Sequence, residues 1–228
     1  KQLCIQANNI DDQGAVCIAE SLKGNKTLTS LNVEDNCIGN LGACALASAL
    51  ASNTTLQKLD LSSNSFNDIG SIAIANLLET NPTLKSLNLN HIRMGEAGHV
   101  AIGNALQVNK SLLELFLCWC DVGRIGGLSI ANSLKLNSTI QVLHLAFEPY
   151  GDEVVRNVAE ALKKNSALKY LNLNFCQYTN AAIFDLAEAL RLNKTLEKLA
   201  ITSTHISFDA YINIYHSAKI NNVCKIET

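Results

Sequence analysis

Apolar residues recur along the chain as L-x-x-L-x-L-x-x-N-x-I-x-x-x-G-x-x-x-L-A-x-x-L-x-x-N-x-T, with a period of 28. Copies begin at Leu28, Leu56, Leu84, Leu112, Ile140, Leu168 and Leu196. The array reads as eight repeats over 1–27, 28–55, 56–83, 84–111, 112–139, 140–167, 168–195 and 196–223, with a tail at 224–228. The L-x-L alternation, as in Leu59 and Leu61, has the period of two of a strand with one buried face. Ile74, Ala75 and Leu78, like Leu186, Ala187 and Leu190, sit at i, i+1 and i+4 and form a helical stripe. An Asn column (Asn25, Asn53, Asn81, Asn109, Asn137, Asn165, Asn193, Asn221) falls just past each helix, where Asn suits a left-handed cap. A Gly column (Gly14, Gly42, Gly70, Gly98, Gly126) reads as the turn from loop to helix.

Strand and helix alternate at fixed length, so the strands stack in parallel with every helix on one side. Helices are wider than strands, so the stack curves with the strands inside. The fold class expected is therefore an α/β solenoid, or horseshoe. Its strands line the concave face and its helices the convex face, in one domain over 1–228.

The eight copies of the L-x-x-L-x-L-x-x-N motif resemble the leucine-rich repeat family. The resemblance is to its 28-residue class, found in ribonuclease inhibitors, NOD-like receptors, Ran GTPase-activating proteins and bacterial effectors. The family's ninth-position Asn or Cys, which serves a ladder of backbone groups, is present as Asn8, Asn36, Asn64, Cys120 and Cys176. Ile92, Glu148 and Thr204 replace it, and the ladder is expected to be irregular or water-bridged there. Lys1 is not an initiator Met, so the chain is expected to be part of a longer protein. Tyr211, Ile214, Tyr215 and His216 break the last repeat's pattern and are expected to close the core as a bulky terminal helix.

Composition narrows the function. The 34 Leu and 26 Asn reflect the repeat, and 18 basic against 20 acidic residues leave a net charge of −2. Such a balance offers nucleic acid no basic surface, and no apolar run approaches the ~20 residues that cross a bilayer. Neither nucleic acid nor membrane insertion is expected, and the chain is expected to be monomeric. Eight Cys occupy repeat positions that do not suit pairing. Cys120 and Cys176, two strands apart at ~4.8 Å each, stand beyond disulfide reach. Free thiols imply a reducing, cytoplasmic compartment. Five N-x-[ST] sequons, at Asn25, Asn53, Asn109, Asn137 and Asn193, follow from the helix-exit column. No phosphate loop, metalloprotease or nucleophile-elbow motif occurs, so no catalysis and no cofactor are expected. A zinc site from His91, Cys118 and His144 lacks a fourth ligand, so no metal is expected either.

Positions 2, 3, 5, 7 and 8 of each repeat, counted from Leu28 as position 1, face the concave side and are left free by packing. Repeats one to three place Asn32, Glu34, Asp35, Asp60, Ser62 and Ser63 there. Later repeats place His91, Phe116, Trp119, His144, Phe147, Tyr170 and Phe175. His91, Trp119, Phe147 and Phe175 share position 8, about 5 Å apart on adjacent strands. Clustered exposed aromatics mark interface anchors. These seven residues are the candidate partner-binding site, and a protein is the expected partner. The resemblance implies a recognition module, either an intracellular bacterium's effector acting in the host cytosol or the sensing domain of an innate-immune receptor. The alternative is a small-GTPase regulator, for which Arg93 and Arg124 carry no family motif. Ribonuclease inhibitors, by contrast, are strongly acidic and richer in Trp.

Overall fold

The computed structural model describes residues 1–202, 206–221 and 224–227. Among them the chain runs β1 (Gln2–Cys4), α1 (Asp12–Gly24), β2 (Ser30–Asn32), α2 (Asn40–Ala51), β3 (Lys58–Asp60), α3 (Asp68–Thr80), β4 (Ser86–Asn88), α4 (Glu96–Val108) and β5 (Glu114–Phe116). It continues through α5 (Arg124–Ser133), β6 (Val142–His144), α6 (Gly151–Leu162), β7 (Tyr170–Asn172), α7 (Asn180–Leu192), β8 (Lys198–Ala200), α8 (Phe208–Asn221) and β9 (Lys225–Glu227). The nine strands form one parallel sheet in chain order, the α/β leucine-rich repeat solenoid. Leu31, Leu59, Leu87, Leu115, Leu143, Leu171 and Leu199 pair in register from β2 to β8, and all are buried.

The tail is not an appendage, because it supplies β9. Ile226 pairs with Leu199, an offset of 27, so the repeat shortens by one residue at its last step. The terminal helix closes the core less completely than its bulk suggests. Ile214 is buried, but Tyr215 is exposed and His216 faces solvent.

The helix-exit Asn residues are not left-handed. Asn25, Asn81, Asn109 and Asn193 have φ between −81° and −61° with extended ψ. Their reason is a ladder between repeats. The Asn81 Nδ2 donates to the Leu50 and Asn53 carbonyls, and its Oδ1 accepts from the Thr83 and Leu84 N–H groups. The same bonding recurs at Asn53, Asn137, Asn165 and Asn193. One buried amide thus satisfies backbone groups of two repeats that no water can reach. Four of the five sequon asparagines (Asn53, Asn109, Asn137, Asn193) are buried within it. The side chain of Asn221, and Thr204, lie outside the described residues.

A second ladder runs through position 9. The Asn36 Oδ1 accepts from Asn8 and Ile10 N–H, while its Nδ2 donates to Ile5, Val33 and Glu34 carbonyls. Irregularity was expected at Glu148, but its carboxylate occupies the same place and accepts from Cys120 and Val122 N–H. The ladder continues there because a carboxylate offers the two acceptors that Asn offers with one oxygen. Ile92, buried, has no such side-chain atom.

A third ladder links helix N-termini. Asp12 Oδ1 accepts from Gly39 and Gly42 N–H, and Asn40 Oδ1 from Asn67 and Gly70 N–H. Asp68, Asp152 and Asn180 reach the next repeat likewise. Each caps its neighbour's helix, whose first N–H groups lack partners. The Gly column lies inside the first helical turn rather than in the preceding loop. A Cβ at Gly42 would stand 2.7 Å from the Ala15 Cβ, so the column sets how closely adjacent helices approach.

Candidate functional site

All seven predicted site residues come together on the concave face, in two rows. In the first, His91 and Trp119 stack at 6.0 Å between centroids, Trp119 and Phe147 at 4.6 Å, and Phe147 and Phe175 at 4.8 Å. In the second, Phe116 stacks on His144 at 4.7 Å, and His144 meets Tyr170 edge-on at 4.9 Å. Trp119 is 52% exposed, Phe147 38% and Phe175 44%. The rings therefore stand in solvent rather than under loops. Tyr150 and Tyr178 are buried.

The backbone beneath the first row is unusual. Ala7, Asp35, Ser63, His91, Trp119, Phe147 and Phe175, all the described residues of position 8, have φ from 52° to 64°. The left-handed region costs an L-residue roughly 1–2 kcal/mol and suits Gly, Asn or Asp. The fold imposes it on Ala7 as on Trp119, so the turn itself gives no reason for large rings. Three consecutive bulky aromatics at strained, half-exposed positions break a local rule with no folding gain beyond mutual stacking, a pattern expected at functional sites.

Position 5 is not free, as the concave pattern had implied. Asn32, Asp60, Asn88 and Asn172 each accept the N–H two residues on, an Asx turn that steers the chain off the strand. Phe116, His144 and Ala200 cannot do this. At Phe116 and Ala200 the position-7 residue of the preceding repeat takes over. Asn90 Oδ1 accepts from Cys118 N–H, and Asn174 Oδ1 from Thr202 N–H. The fold has compensated for the replacement at Phe116, whose ring is then there for something other than the turn. The break in the Asn and Asp run at Phe116 and His144 along this column is a legible signal.

Charge on the face is balanced. Lys169 pairs with Glu197 and Lys198 with Glu227, both at 3.1 Å. Burial pushes the His144 imidazole below its ordinary range, against the pull of Glu114. Its Nδ1 lies 3.3 Å from the Asn172 Nδ2, a donor, so the ring proton sits on Nε2. Burial raises the Cys118 thiol to about 11. The polar half of the face differs from expectation in one respect: Ser62 is buried, its hydroxyl bonded to Asp60.

The other candidate chemistries gain no geometry. Among the described residues no three His, Cys, Asp or Glu groups are placed to hold a metal. Arg124 is engaged by both carboxylate oxygens of Glu153. All eight cysteines are unpaired, and no described helix is long and apolar enough to cross a membrane.

A family model agrees with the repeat over part of the chain. The Leucine Rich repeat family model matches residues 24–47 and 52–75. A search of curated proteins returns no match. Among solved structures, the leiomodin-1 actin-binding site 2 is similar at 19% identity and a TM-score of 0.34, covering 90% of this chain and 87% of that one. A tropomodulin C-terminal domain from Caenorhabditis elegans is similar at 12% identity and a TM-score of 0.31, covering 92% and 93%.

Proposed function

We propose that this leucine-rich repeat chain is a non-enzymatic recognition module that seats a protein partner on the aromatic rows of its concave face. The observation that carries the reading is the exposure of Trp119, Phe147 and Phe175 at left-handed positions where neither packing nor turn chemistry needs a ring. Exposed aromatics concentrated at one place are what partner proteins bury as anchors. The spacing of 28 between paired strand residues from β1 to β8 supports assignment to the 28-residue class. The stacked geometry favours a protein over a nucleobase. Trp119 lies between His91 and Phe147, and Phe147 between Trp119 and Phe175, so these faces are taken and edges remain.

An effector role would draw compositional support from the Asn–Lys turns at Asn25–Lys26, Asn109–Lys110 and Asn193–Lys194. Those asparagines serve the helix-exit turn, which leaves only their lysines to support it.

Parallel affinity captures with the wild-type chain, Trp119→Ala, Phe147→Ala and Ser63→Ala test the reading. A partner retained by wild type and Ser63→Ala but lost from both aromatic variants supports it. A partner retained equally by all four, with the variants folded, rejects it.

A further inference from the structure

The two aromatic rows bound a strip whose floor is position 7: Asn90, Cys118, Ala146 and Asn174, just past the ends of successive strands. Ala146 is buried and the other three are half-buried, so the floor is low and the rings form its walls. No charged side chain belongs to the floor, while Glu114 lies near His144 and Glu227 near Tyr170 on one wall. The strip's amide and imidazole groups left free are donors. Asn90 and Asn174 spend their Oδ1 on the Cys118 and Thr202 N–H groups, and their Nδ2 groups make no hydrogen bond to described residues. His144 commits Nδ1 to Asn172 and keeps its Nε2–H for a ligand. The ring edges facing the strip carry the positive side of the aromatic quadrupole, which also favours oxygen acceptors.

From this complementarity we infer that the strip takes an extended, uncharged apolar segment of the partner, lying across the strands, with its backbone carbonyls accepting from Asn90 and Asn174. The inference rests on the aromatic-face reading and makes it specific. The spacing fits. Asn90 and Asn174 are three strands apart, about 14 Å at ~4.8 Å per strand, and an extended chain advances ~3.4 Å per residue. Carbonyls four residues apart therefore reach both amides. The floor gives a charged segment no counter-ion in return for the hydration it would lose. The burial that keeps His144 neutral acts in the same direction.

The test uses a random twelve-residue peptide library displayed on phage, selected against the whole chain. The best synthetic peptide is titrated by calorimetry into wild type, Trp119→Ala, Asn90→Asp and Asn174→Asp. Aspartate keeps the oxygen that caps the next turn and removes the donor. The expected result is an uncharged core of at least four residues in the selected peptides. Affinity should fall about tenfold or more in each Asp variant, with melting temperatures unchanged. Selected peptides sharing a charge within that core, or unchanged affinity in both Asp variants, overturn the inference. If Trp119→Ala alone abolishes binding, the aromatic face stands and the extended segment falls. If Trp119→Ala binds as wild type does, the aromatic-face reading itself fails.

Discussion

Trp119 and Phe147 stack with their ring centroids 4.6 Å apart and their planes 17° from parallel, although both backbones are left-handed. Stacking of this kind contributes about 0.5–1.5 kcal/mol per pair, comparable with the backbone cost of holding each ring there. The row is thus close to neutral for folding.

That balance makes position 8 separable from stability. Phe147→Gly relieves the backbone and loses two stacks, and its unfolding free energy should stay within about 1 kcal/mol of wild type. Phe147→Val, a β-branched residue in the left-handed region, should be less stable than Phe147→Gly. Urea titrations of the two would contradict the assignment if Val proved the more stable.

Core positions should respond differently. Leu117 is fully buried behind the rows, and Leu117→Ala should cost about 2–5 kcal/mol through lost transfer energy and a residual cavity. A cost below half a kcal/mol would mean the register is wrong.

The strand register, the helical stripe and both aromatic rows were legible because they depend on residue type at a fixed spacing. Leu59 must be apolar wherever its strand pairs, and Trp119 must neighbour Phe147 once the period is known. Four features were hidden. The left-handed turn belongs to the backbone and admits Ala7 as readily as Phe175, so no residue preference announces it. The extended conformation of the exit asparagines depends on carbonyls 31 residues earlier, which sequence proximity does not suggest. The ninth strand was missed because Ile226 arrives one residue early. The donors on Asn90 and Asn174 became visible only when Phe116 and Ala200 were seen to lack the Asx turn.

Two buried groups should oppose each other in pH. Burial lowers His99 to about 4, against its Gly95 hydrogen bond and the nearby Asp68 and Asp121 carboxylates. The unfolded chain therefore binds a proton between pH 6.5 and 4 that the folded chain refuses, and stability falls with acid. Burial raises Glu148 to about 7, against the N–H groups of Cys120 and Val122. Here the folded chain keeps a proton between pH 4.5 and 7, so stability falls as pH rises. Each shift corresponds to about 3 kcal/mol, and over pH 4.5–6.5 they offset. Glu148→Gln should expose the His99 limb, with stability climbing from pH 4 to 6.5. His99→Gln should expose the opposite slope. Chemical denaturation from pH 4 to 8 checks this, and parallel profiles for all three proteins would contradict it.

Thiol reactivity should follow the repeat. Cys4, Cys17 and Cys37 are exposed, while Cys120, Cys176 and Cys224 are buried. Titration of protein handled without oxidation should show those exposed three reacting fast in the native state and all eight after denaturation. Fewer than eight after denaturation would reveal a disulfide that the fold does not place.

The central claim is that the aromatic rows bind and the Leu core folds. The most direct measurement is the calorimetric affinity of a captured partner for wild type and Trp119→Ala, with both melting temperatures recorded. The account predicts a loss of about 2 kcal/mol or more, roughly 30-fold in Kd, with the fold nearly as stable. An unchanged Kd with a lowered melting temperature would show that the row is structural stacking and that the partner binds elsewhere.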